Sequence, residues 1–147
     1  MSENYNQIKL QFGSQTNYID VAQSLGEKLF EILSFNGDAI YWMSIALREA
    51  LNNAVKHGNK QNPLKSVFVN FNIHPDKLQI LIRDEGKGFD LSEIPDPTEK
   101  ENIMKSCGRG LFFIKSFMDE FEILECGKKG TLLSMVKYKS NKHIPRR

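Results

Sequence analysis

With 147 residues, 40% of them apolar and 26% charged, the chain is expected to form one globular domain with its own hydrophobic core. A net charge of +2 argues against a general nucleic-acid binder. No window approaches the run of about 18 apolar residues that a membrane span needs.

The segment IKLQF (8–12) alternates apolar and polar residues, as a half-buried strand does. Asn17 is a candidate cap for a helix over 18–33, with Val21, Leu25, Leu29, Ile32 and Leu33 as its apolar face. FNGD breaks that helix, and Asp38 can cap a second one running to about His57, where Gly58 stops it. Ile40, Met43, Leu47, Ala50, Leu51 and Ala54 form its core stripe. SVFVNFNIH and KLQILIRD both alternate strictly, and Pro75-Asp76 turns between them, which predicts an antiparallel hairpin. The stretch 91–107 is polar, carries Pro95 and Pro97, and has the length of a binding loop rather than a spacer. A third helix is expected over 110–118, opened by GRG, and strands near 121–125 and 131–139 flank CGKKG. Three helices and about five strands, mostly antiparallel, predict an α+β fold: a two-layer α/β sandwich with the helices on one face of the sheet. One domain is expected over 1–140, and 141–147 forms a short basic, flexible tail.

Cys107 and Cys126 have neither CxxC spacing nor a histidine cluster beside them. This argues against a zinc site or a disulfide framework and fits a reducing compartment. MSENYNQIKLQF has no basic start leading into an apolar run, so no signal peptide is expected and the location is read as cytoplasmic.

Three features carry chemistry. In RDEGKGFD, Asp84 follows the inward positions Leu78, Ile80 and Ile82 by the strand period of two, so its carboxylate should point into the protein. Such a group is either a cap that accepts backbone N–H groups or an acceptor for a ligand. Gly86 and Gly88 permit positive φ and close approach of the backbone. Gly108 and Gly110 open a helix, whose N-terminal N–H groups suit phosphate. In EALNNAVKHG, Glu49, Asn53 and His57 follow one another at intervals of four along a stripe beside the apolar face. Glu and Asn in that relation offer oxygen ligands to a hard cation or can hold a hydroxyl, whereas a histidine at a helix end more often caps carbonyls.

Together EALNNAVKHG, DEGKGF, GRGLFFIKSFMDE and the Gly130-Thr131 pair resemble the N, G1, G2 and G3 boxes of the GHKL (Bergerat-fold) ATPase superfamily of gyrase, histidine kinases and MutL. Within it, the small size and GRGLFFIKSFMDEFE resemble the anti-sigma-factor serine kinases of the RsbW/SpoIIAB type. The resemblance implies a Mg²⁺·ATP site. Asp84 would accept the adenine amino group, Gly86 and Gly88 would admit the adenine, and Thr131 would support that end. Asn53 would ligate Mg²⁺, and Gly108, Arg109, Gly110 and Leu111 would line the phosphates, with His57 near the same site. Either Lys105 or Arg109 would meet the γ-phosphate. Glu49 would act as general base toward a serine hydroxyl. The resemblance further implies a homodimer that sequesters a sigma factor and phosphorylates a STAS-domain anti-anti-sigma protein. A module that binds ATP without transferring it needs no base, so Glu49 speaks against that alternative. A detached histidine-kinase catalytic domain is the other.

Overall fold

Alternation builds the centre of the molecule. The computed structural model describes residues 6–86, 110–127 and 129–139. Five strands, β1 (Asn6–Gly13), β2 (Ser66–Ile73), β3 (Lys77–Arg83), β4 (Glu120–Gly127) and β5 (Gly130–Tyr138), form one sheet in the order β1-β2-β3-β5-β4. Every neighbouring pair is antiparallel. The register lines up two apolar rows across all five strands, Ile8–Phe71–Ile80–Met135–Phe121 and Leu10–Val69–Ile82–Leu133–Ile123. These rows explain why the strands read so clearly, since each inward side chain has an apolar partner on the next strand.

Helices α1 (Thr16–Ile32), α2 (Gly37–Asn52) and α3 (Gly110–Phe117) supply the second layer, and a single π-helical turn (Asn53–Gly58) continues α2 without a break. The α2 stripe is buried as expected at Met43, Leu47, Ala50, Leu51 and Ala54, with Ala46 joining it. The cap differs. Asn36 rather than Asp38 caps α2, its side chain accepting the Ala39 N–H at 2.8 Å. Asp38 lies in the first turn instead, where its charge faces the positive end of the helix dipole.

Helix α1 departs further from expectation. It starts at Thr16 behind Gln15, whose side chain makes no capping bond, and Asn17 lies inside it. Its buried face is Ile19, Ala22, Gly26, Leu29 and Phe30, whereas Val21 and Ile32 are 60% and 66% exposed. Packing decides between the two stripes. A Cβ at Gly26 would run into the Leu47 side chain and lie within 3.7 Å of Phe71, so only the face with small residues lets α1 close on α2 and the sheet.

The chain's single tryptophan, Trp42, is stacked on Phe117 of α3, with ring centroids 4.4 Å apart. Among the described residues, no helix is long and apolar enough to cross a membrane.

Candidate active site

Strand β3 ends by turning a carboxylate inward. Asp84 keeps the alternation of Leu78, Ile80 and Ile82 and is only 5% exposed. Its Oδ1 accepts the Gly86 N–H at 2.9 Å and the Thr131 N–H at 3.2 Å, while its own N–H donates to Thr131 O at 3.1 Å. The capped-turn reading is therefore correct for one oxygen. Among the described residues, no hydrogen bond reaches the other, Oδ2, which lies against Gly58. Burial pushes the Asp84 pKa above its ordinary 3.8, and the two N–H bonds and the nearby Arg83 and Lys65 charges oppose this without cancelling it.

Three glycines from three elements close round this carboxylate. A Cβ on Gly58 would collide with the Asp84 side chain, one on Gly86 with the Gly58 carbonyl, and one on Gly130 with the Asp84 carbonyl. Gly130 also holds φ at +109°, which side chains of L-residues rarely adopt. Gly86 is thus required first by the protein's own backbone. Gly58, expected only to stop a helix, forms one wall of the site.

Glu49 and Asn53 stay one α-helical turn apart, because the Asn53 N–H donates to Glu49 O. Both are half-buried. Beyond Asn53 the ladder widens, and the Asn59 N–H reaches back five residues to Ala54 O. Turns of this kind recur at functional sites. Among the described residues the buried Asn53 Nδ2 has no hydrogen-bond partner, a costly arrangement unless a ligand supplies one. His57, in the same turn, is exposed. Gly110 opens α3 as expected, and Leu111 follows it in the first turn. Gly88, Lys105, Gly108 and Arg109 lie outside the described residues.

A family pattern covers most of the chain. Residues 14–137 fit the histidine kinase-like ATPase domain. The chain belongs to that family. Among its relatives are serine-protein kinases RsbW from Staphylococcus epidermidis, 30% identical over 94% of this chain and 90% of the relative, and from Staphylococcus aureus, 33% identical over 89% and 86%. The protein of the same name from Oceanobacillus iheyensis is 28% identical over 96% and 92%. This histidine kinase-like ATPase thus falls in the serine-protein kinase branch, and ATP is its nucleotide.

The donors fit a magnesium nucleotide. Among the described residues, no three His, Cys, Asp or Glu side chains cluster in a way that could hold a metal. A divalent ion here would therefore draw its oxygens largely from phosphates and water, with an amide such as Asn53 completing the set, a pattern that suits Mg²⁺. The unpartnered atom is the Asn53 amide nitrogen, a donor that a phosphate oxygen would satisfy, whereas a cation would be held by the amide oxygen.

The buried carboxylate makes stability depend on pH in a defined sense. Because the folded-state pKa is raised, the folded chain holds a proton at Asp84 that the unfolded chain has already released. That contribution is complete below pH 3.8 and is lost as pH rises through the raised value. Asp84→Asn removes this dependence. Its melting temperature is expected to gain on the wild type's as pH climbs from about 4 towards neutrality, in parallel calorimetric melts. A constant difference across that range would show that burial does not set the pKa.

Proposed function

We propose that the protein is an ATP-dependent serine-protein kinase and anti-sigma factor that acts in a partner switch. It phosphorylates a serine of a STAS-domain anti-anti-sigma protein and sequesters a sigma factor. The observation that carries this reading is the Glu49–Asn53 pair one helical turn apart, on a chain whose relatives are serine-protein kinases. Asp84 Oδ2 is the acceptor for the adenine amino group, beside Gly86, Gly88 and Thr131. The amide of Asn53 holds Mg²⁺, which when bound neutralises the charge developing on the phosphates. Lys105, Gly108, Arg109, Gly110 and Leu111 line the phosphates, and His57 lies at the rim. Glu49 takes the proton from the attacking serine hydroxyl. In this proposal residues 1–140 are one ATP-binding kinase domain, 141–147 are a basic tail, and the protein acts in the cytoplasm.

A homodimer is part of the proposal, and the β1 edge supports it. Among the described residues strand β1 pairs with β2 alone, and no described strand covers its outer edge. Beside it Leu10, Phe12, Tyr18 and Val21 line an apolar groove of about 290 Å³. Unpaired edges with apolar flanks favour association with a second chain.

The test is direct. Purified protein with Mg²⁺·ATP is expected to place phosphate on serine of a cognate STAS protein, seen by phosphopeptide mass spectrometry, and to run at twice its 16.9 kDa mass in light scattering. Absence of ATP binding by calorimetry would sink the whole reading. Phosphate on histidine instead would move the protein to the histidine-kinase class.

A further inference from the structure

Directly after the π turn, the Asn59 side chain joins three other segments, at Ser14, Ser66 and Glu85. It is 1% exposed, and every polar group of its side chain is used. Its Nδ2 donates to Ser14 Oγ at 2.7 Å and to the Ser66 carbonyl at 2.9 Å, and its Oδ1 accepts the Glu85 N–H at 2.7 Å. Its backbone N–H closes the π turn on Ala54 O, and its carbonyl accepts the Asn62 N–H. Lys60 and Gln61 then take φ of 52° and 58°, so two consecutive non-glycine residues sit in the left-handed region. Such a costly reversal persists only where its surroundings hold it in place. Across the same junction, Glu85 Oε1 accepts the Ser66 N–H at 2.7 Å.

The consequence concerns Asp84. Its neighbour Glu85 is tied through its N–H to Asn59, and Gly86 packs on the Gly58 carbonyl, so the 84–86 backbone is fastened to the end of the helix that carries Glu49 and Asn53. We propose that Asn59 is a positioning residue for nucleotide binding: its amide oxygen fixes the Glu85 N–H and thereby holds the Asp84 carboxylate at the adenine end. This rests on the nucleotide reading of the site given above. Asn59 touches neither nucleotide nor serine, so its loss should weaken ATP affinity and leave the transfer step alone.

Three variants test this by calorimetric ATP affinity, steady-state KM and kcat, and melting temperature. Asn59→Ala deprives the part-buried Glu85 N–H of its acceptor. It is expected to raise the ATP dissociation constant and KM about tenfold, with kcat at saturating ATP within about twofold of wild type. Asn59→Asp keeps an acceptor for Glu85 but loses both donated bonds, and is expected to bind ATP within about threefold of wild type while melting lower. Ser14→Ala cuts the other side of the network, and should melt lower with ATP affinity unchanged. A folded Asn59→Ala that binds ATP like wild type would overturn the proposal. So would a Ser14→Ala protein that loses affinity as much as Asn59→Ala does, because that loss would reflect general destabilisation. If Asn59→Ala does not fold, Asn59→Asp decides: retained affinity supports the proposal and a tenfold loss overturns it. A wild-type chain that binds no ATP would remove the nucleotide reading and this proposal with it, whereas loss of support from the variants alone leaves that reading intact.

Discussion

Gly86→Ala is expected to lower both stability and nucleotide binding sharply. The new methyl would meet the carbonyl of Gly58 and come within 3.0 Å of its Cα, and neither can rotate away because both are backbone. The strain must be relieved by moving the 84–86 segment or the end of the π turn, and these are the two elements that set the position of Asp84 Oδ2. A clash of this kind costs about 3 kcal/mol, which lowers the melting temperature of a domain this size by roughly 6–12 °C. Differential scanning calorimetry and ATP titration should show both losses together. Gly127→Ala is the control, since among the described residues nothing lies within 4 Å of a Cβ there, and it should change stability by no more than about 0.5 kcal/mol. A Gly86→Ala protein that melts and binds ATP like Gly127→Ala would mean the backbones are not packed as described.

Glu49→Ala should separate binding from chemistry. Glu49 sits on α2 one turn before Asn53, half-buried, and takes no part in the hydrogen bonds that hold Asp84. Removing its carboxylate is expected to cut the rate of phosphate transfer by about 10²–10⁴ while the ATP dissociation constant stays within about threefold. Single-turnover transfer to the proposed STAS substrate, followed beside calorimetric titration, reads the two quantities separately. Transfer at the wild-type rate would remove Glu49 from its proposed role as base. A parallel loss of ATP affinity would place it in nucleotide binding instead.

Much of this was legible before any coordinates. The strict alternation of β2 and β3 fixed their pairing and carried Asp84 inward, because a period of two leaves no freedom at a strand end. The spacing of four between Glu49 and Asn53 held because the helix is still α-helical where the two meet. The face of α1 was legible only in part: Leu29 is buried and Leu25 and Leu33 pack on the core, but Val21 and Ile32 turn outward. Two apolar stripes overlap on it, and the choice turns on Gly26 against Leu47, a contact between helices that neither helix's own pattern contains. The caps failed for a related reason: Asn17 and Asp38 are sound capping residues, but the chain enters each helix slightly earlier. The π turn leaves no mark on side-chain periodicity over six residues. Asn59 reads as an ordinary polar turn residue, and only the convergence of Ser14, Ser66 and Glu85 shows it to be interior. The sequence presents Gly86 as room for a ligand and Gly58 as a helix stop, whereas Gly58, Gly86 and Gly130 first serve to let three stretches of the chain touch.

The stacking of Trp42 on Phe117 has a practical consequence. Trp42 is the chain's single indole, 43% exposed, and its emission depends on both the solvent on one face and the ring on the other. Phe117 ends the helix that Gly110 begins, so the fluorophore on α2 is in direct contact with the element that follows the proposed phosphate-binding glycines. The protein therefore carries a native optical probe of how α3 rests on α2, free of any introduced label.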